Sequence, residues 1–291
     1  MSGSPLVSVL VPTVDHGPTL RFSIPTALGQ EVDGGIEVLI VGDGMPPDAL
    51  AVANELARAD NRVRVFPFEK GPRNGEIHRD AVLRSEARGR YVLYLSDDDL
   101  WLQGHAAAMV AALADADFAA GTVAAVFPDG NLVIPPHDLS NPGYRALMLS
   151  DERHWNHVPL SAAGHTMDAY RRMDGWSTSP EDIWSDLFFY RGFLKRDWVR
   201  ATSVNEVTCL VFPSPDRRGV GAAERAAELE AWAGRLADPG EAAEIDKTIA
   251  AAYRAQAVGT NLLFQQAYDH ARRLEAAIEA LRRTHDTARG R

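Results

Sequence analysis

The sequence predicts an α/β protein: a mostly parallel sheet flanked by helices, with a C-terminal helical extension. Three observations carry this. Short continuous apolar runs recur at 6–11 (LVSVLV), 36–41 (IEVLIV), 63–68 (VRVFPF) and 91–95 (YVLYL), and helical spacing separates them. Apolar strands without polar alternation are those buried on both faces, which is the parallel sheet's situation. From about residue 221 the chain turns rich in Ala, Glu and Arg, a helical composition.

In chain order, Pro12 is expected to end the first strand, and 18–30 has helical spacing. The second strand runs into Gly42-Asp43-Gly44. Residues 47–60 read as a helix, with Pro47 near its start and Asp48 in the first turn. After the third strand, 76–88 reads as a helix closed by Gly89. The fourth strand leads into Ser96 and three aspartates; 104–114 is a further helix and AAGTVAAVF (119–127) a returning strand. Residues 128–165, rich in Pro, Asn, Gly and His, show no period, which in a compact domain points to function or mobility. The expected domains are 1–215 and a helical extension, 216–291.

The chain has 291 residues, is 46% hydrophobic and carries a formal net charge of −10. Such a charge argues against nonspecific nucleic-acid binding. A single cysteine, Cys209, excludes an internal disulfide or a thiolate zinc site and is expected in the core. No stretch approaches the roughly 18 apolar residues of a membrane span. The N-terminal run lacks a basic region and is too short for a signal peptide, so the expectation is a cytoplasmic protein, peripheral at the membrane if it meets one. In the tail, Phe264, Ala267, Ala271, Leu274, Ile278 and Leu281 follow three–four spacing. This stripe either packs on the body of the chain or forms a homodimer seam. Six arginines against three acids in the last 22 residues read as a frayed helix end, an anionic membrane surface being the alternative.

Candidate chemistry gathers at strand ends, where open parallel sheets bind ligands. The first strand offers Pro12, Thr13 and Asp15, the second Asp43, and the fourth Asp97, Asp98 and Asp99. Three adjacent carboxylates leaving a core repel one another unless water solvates them or a cation bridges them. A hard divalent ion bound there would neutralise a diphosphate. The competing reading makes the aspartates a helix N-cap before Leu100-Trp101.

The motifs VSVLVPTVDHGPTL, IEVLIVGDGM, GRYVLYLSDDDLW and DGWSTSPEDIW, in this order, resemble the family 2 glycosyltransferases of GT-A fold over about residues 6–212. The resemblance implies inverting transfer of a hexosyl or N-acetylhexosaminyl group from a nucleotide diphosphate sugar, UDP by first choice, to a hydroxyl acceptor, with Mg²⁺ or Mn²⁺. It places Pro12, Thr13 and Asp15 beside the nucleotide, Asp43 at the base, Asp98 near the ribose and Asp99 on the metal, with Asp97 completing the triplet. Gly42 stands where the family's first acid is usual. Arg79 is the nearest match to an arginine facing the nucleotide, with Arg73 competing. Gly175-Trp176 and Glu181-Asp182 match the later motif, in which Asp182 is the general base; Asp186 is the rival base. Pro180-Glu181-Asp182 equally resembles a helix start for 182–191. Trp155, Trp176 and Trp184 are expected partly in the core; Trp176 or Trp155 is a candidate to stack on a sugar, and Glu181 joins Trp176 as a candidate for the sugar or acceptor. The late histidine ligand of some relatives has no counterpart between 166 and 269; His154, His157 and His165 read as surface or hydrogen-bonding residues.

Two other classes compete. A sugar nucleotidyltransferase would carry a basic Gly-rich loop after the first strand, and PTVDHGPTL has none. A nucleotide-sugar-binding scaffold with impaired catalysis is the second, suggested by Gly42.

Overall fold

The computed structural model describes residues 4–152 and 156–289. Strands β1 (Val7–Thr13), β2 (Ile36–Asp43), β3 (Val63–Phe68) and β4 (Tyr91–Tyr94) form the parallel half of a nine-stranded sheet. The order continues from β4 through β8 (Ala163–Thr166), β6 (Phe118–Val126) and β9 (Ala201–Val211) to β5 (Leu100–Trp101), and β7 (Leu132–Val133) adds to β6. Most paired residues lie in parallel ladders, but β8 runs antiparallel between β4 and β6.

Strand alternation divides the core between the two faces. Val9, Val11, Val38 and Ile40 pack with α1 (Leu20–Leu28), α2 (Pro47–Ala59) and α4 (His105–Leu113). Leu10, Leu39 and Val41 face α3 (Glu76–Ser85) and α7 (Ser185–Leu194). Cys209 is buried as expected.

Several expectations change. Pro12 lies inside β1 rather than ending it. Leu10 accepts from the Leu95 amide, so Pro12, two residues on, also faces β4, whose pairing with β1 stops at Leu10. The missing N–H therefore costs no ladder bond. Helix α3 stops at Ser85, and Gly89 serves another purpose: a Cβ there would lie 2.4 Å from the Ser8 nitrogen. The described residues of the stretch 128–165 hold β7, α5 (Pro142–Leu149) and most of β8. Asn141 caps α5 by accepting from the Gly143 and Tyr144 amides, with Pro142 at the first position. One eight-residue helix is too short to reveal its period in the sequence. Of the histidines there, His165 is buried within β8, His157 bonds the Pro136 carbonyl, and His154 and Trp155 lie outside the described residues.

The chain divides into compact units Met1–Ile245 and Asp246–Arg291. The first thus reaches past residue 215 and includes α6 (Met167–Arg171) and α8 (Ala222–Ala237), the latter packed on the 3₁₀ turn Gly17–Thr19 and on α1. The second belongs to α9 (Pro239–Arg289), where Ala267, Ala271, Leu274 and Ile278 of the anticipated stripe are exposed. The side chains of Phe264 and Leu281 lie outside the described residues. Among the described residues no helix is long and apolar enough to cross a membrane.

Candidate active site

Because β2, β1 and β4 are parallel neighbours, their carboxyl ends open on one edge. A cleft of about 450 Å³ lies there. Pro12, Thr13, Asp15, Asp43, Arg79, Asp97 and Asp98 all line it, so seven residues expected at the nucleotide converge.

Asp43 is buried; it accepts from the Gly71 amide at 2.6 Å and pairs with Lys70. Gly75 adopts φ 70° against it, and a Cβ there would sit 2.7 Å from the Asp43 carboxyl carbon. Only glycine suits both demands. At Gly42 a Cβ would meet the flexible end of the Met45 side chain, its sulfur at 2.3 Å. Arg79 reaches the cleft from α3, its guanidinium 4.8 Å from the Trp176 ring centre and its Nη2 donating to the Asn74 carbonyl. Burial lowers its pKa, opposed first by Glu76. Arg73 instead donates to the Pro180 carbonyl and does not line the cleft.

The acidic triplet is buried throughout and caps no helix: Leu100 and Trp101 pair with β9, and α4 begins later, at His105. Two unit charges 4 Å apart repel by about 4 kcal/mol at a surface-like dielectric, so three need compensation. Arg225 of α8 supplies some, with Nη1 2.6 Å from Asp98 Oδ2. His16 supplies more, its Nδ1 3.4 Å from Asp97 and 4.0 Å from Asp98. Its bond to Asp97 raises the imidazole pKa. Burial, then Asp99 and Asp97, push Asp98 up to about 8. Ligand atoms of His16, Asp97 and Asp98 lie within 4.8 Å of one another, a donor set suited to a hard or borderline divalent ion.

Asp99, expected on the metal, is placed differently. Its carboxylate accepts from the Ser161 hydroxyl and from the Phe212 amide at 2.8 Å, and it does not line this cleft. Burial raises it to about 6, against those two bonds. Both oxygens are already held by the protein.

The expected base is displaced as well. Helix α7 begins at Ser185, three residues later than anticipated, leaving Asp182 exposed and lining a separate cavity with Met173 and Arg196. Asp186 instead lines the cleft of Asp97 and Asp98. It is half-buried, accepts from Asn156 at 3.2 Å, and has its pKa raised by burial, with the Leu187 amide and Arg79 opposing. A carboxyl with a raised pKa in a cleft is suited to proton transfer. Glu181 is exposed and lines neither cavity.

Trp176 is a core residue, 2% exposed, stacked 3.9 Å from Phe189 and donating Nε1–H to Tyr94. No face remains for a sugar. Trp184, expected partly in the core, is 59% exposed on the cleft wall. Sequence reasoning also missed His16 and Arg225. The first follows Asp15 directly and could have been included; the second sits in a helix whose composition reads as solvated.

A family model described as "Glycosyl transferase family 2" matches residues 8–173. EpsJ, an uncharacterized glycosyltransferase of Bacillus subtilis, is 32% identical over 95 residues, 33% of this chain and 26% of that protein. The chain spans 11–37% of the lengths of the curated relatives it matches. Among solved structures, the 1–349 fragment of S. aureus TarS superposes with a TM-score of 0.54 at 17% identity, over 79% of this chain and 68% of that one. The mannosyltransferase PcManGT of Pyrobaculum calidifontis gives 0.51 at 19% identity, over 89% and 81%. The fold is GT-A. Since the family model spans more than half of its length, the chain belongs to glycosyl transferase family 2.

Proposed function

We propose that this protein transfers a sugar from a nucleotide diphosphate sugar, UDP by first choice, to an acceptor hydroxyl with inversion. The observation that carries the reading is the meeting, in one cleft, of the strand-end groups Asp43, Asp97 and Asp98 with Asp186 from a distant segment. TarS has been solved with UDP-GlcNAc, and PcManGT with GDP-Man and Mn²⁺. Asp43, Arg79, Pro12, Thr13 and Asp15 border the nucleotide.

His16, Asp97 and Asp98 would hold Mg²⁺ or Mn²⁺. Such an ion supplies positive charge against a departing diphosphate. Arg225 brings a second cation to the same carboxylate. Asp186 accepts the acceptor's hydroxyl proton as the oxygen bonds to the anomeric carbon. The carbon–oxygen bond to the diphosphate breaks, its electron pair leaving with the diphosphate, and attack from the opposite face inverts the centre.

A thermal-shift screen of UDP- and GDP-sugars, with Mn²⁺ or with EDTA, tests the reading. One sugar nucleotide should raise Tm in a cation-dependent way, since a ligand of the native state stabilises it. No rise with any of them would count against it.

A further inference from the structure

We propose that the acceptor binds in a second cleft beside the first, and that it is an uncharged molecule with an apolar or aromatic face next to its nucleophilic hydroxyl. This rests on the transferase reading above and specifies its second substrate.

The second cleft has a volume of about 420 Å³ and shares Ser96, Asp98, Leu160, Trp184, Asp186 and Ser214 with the nucleotide cleft. Asp186 therefore borders both spaces, as a group must that takes a proton from one substrate while the other is attacked. Continuity with the donor cleft makes this the approach to the reacting carbon.

Its chemistry differs from that of its neighbour. Val123, Ala125, Val211 and Phe212, from β6 and the end of β9, form an apolar floor, and four prolines, 135, 159, 213 and 215, line it too. Three of its described lining residues are aspartates, and none is lysine or arginine. A phosphate on the acceptor near its reacting hydroxyl would face these carboxylates, with His157 on the wall and behind it a guanidinium, Arg225, that is already bonded to Asp98 and Ser214. The nucleotide cleft, by contrast, has Arg79.

Trp184 adds a platform. It stands two residues before Asp186, at the N-cap of α7, with most of its side chain exposed on the wall common to both clefts. An exposed indole packs on the C–H face of a sugar ring or on an aryl group. Its place on the same short segment as Asp186 fixes the distance from platform to base.

Calorimetric titration with p-nitrophenyl glucoside and with its 6-phosphate tests the proposal, using wild type, Trp184→Ala and Pro159→Asp. Pro159 lines only the second cleft and is the N-cap of a 3₁₀ turn, where aspartate is tolerated. The neutral glycoside should bind at least about tenfold more tightly than the phosphate. Trp184→Ala should weaken it roughly five- to tenfold, the scale of one aromatic contact. Pro159→Asp should weaken it too, leaving UDP or GDP affinity in Mn²⁺ unchanged. Equal or tighter binding of the phosphate, no binding of the glycoside, or indifference to both substitutions would overturn the proposal. Failure of both UDP and GDP to bind wild type would overturn the donor reading instead, in a separate titration.

Discussion

Arg225 Nη1 lies 2.6 Å from Asp98 Oδ2, joining a helix beyond the sheet to the middle carboxylate of a buried acidic triplet. Both side chains are buried. Removing one partner of such a pair commonly costs about 3 kcal/mol, because the remaining charge is left uncompensated. Arg225→Ala should therefore be less stable by about that amount in urea titrations with EDTA. Mn²⁺ should recover more stability in the variant than it adds to wild type, since a bound cation replaces the lost charge. Equal gains in both proteins would show that Asp98 and the metal are unrelated.

The members of the triplet should separate by phenotype. Asp97→Ala removes a carboxylate from the group formed with His16 and Asp98. It should weaken Mn²⁺ binding, read by electron paramagnetic resonance, by about tenfold or more, the order of one lost charged ligand. Asp99→Ala leaves the Phe212 amide and Ser161 hydroxyl without their acceptor. It should cost about 1–3 kcal/mol of stability. The affinity of Asp99→Ala for Mn²⁺ should change little. A reversed pattern would return the metal to Asp99.

Two buried histidines give a pH dependence. Burial lowers both His105 and His165 to about 3, from an ordinary value of 6.5. His165 Nε2 meets the Tyr94 hydroxyl at 2.7 Å, and that oxygen in turn accepts from Trp176. Below pH 6.5 the unfolded chain takes up protons that these folded rings refuse. Stability therefore falls with pH from 6.5 towards 3, by up to about 1.4 kcal/mol per pH unit for each ring. The raised pKa values of Asp98 and Asp99 act in the opposite direction, so the comparison must be differential. His165→Gln, or His105→Asn, should show a slope between pH 6.5 and 5 shallower than wild type by about that amount per unit. Identical slopes would mean the rings are protonated in the folded state.

What could be read in the sequence is local. Asp43, Asp97 and Asp98 sit where apolar strands stop, and adjacent parallel strands bring them together without further information. Asp186 and Asp182 were harder to separate because the choice depends on where α7 begins, and three residues of helix phase exchange the carboxylates between cavities. The tryptophans, both expected partly in the core, parted for a tertiary reason. Phe189 and the Tyr94 hydroxyl draw Trp176 into the core, whereas the N-cap position leaves Trp184 outside. Asp99 turned inward because the chain passing β9 offers the Phe212 amide. Arg225, 127 residues from Asp98, arrives by the packing of α8 on α1, a contact that no spacing in the sequence announces.

The role of Asp186 is tested most directly by Asp186→Asn, with turnover and nucleotide affinity measured on the same preparation. Asparagine keeps the shape, retains with its one acceptor oxygen only one of the bonds from the Leu187 amide and Asn156, and cannot take a proton. Turnover should fall by about 10²–10⁴, the range for a lost general base. Affinity for the nucleotide in Mn²⁺ should stay within about twofold, as differences below roughly 0.5 kcal/mol are small on this scale. Full turnover in Asp186→Asn, with Asp182→Asn inactive, would contradict the account.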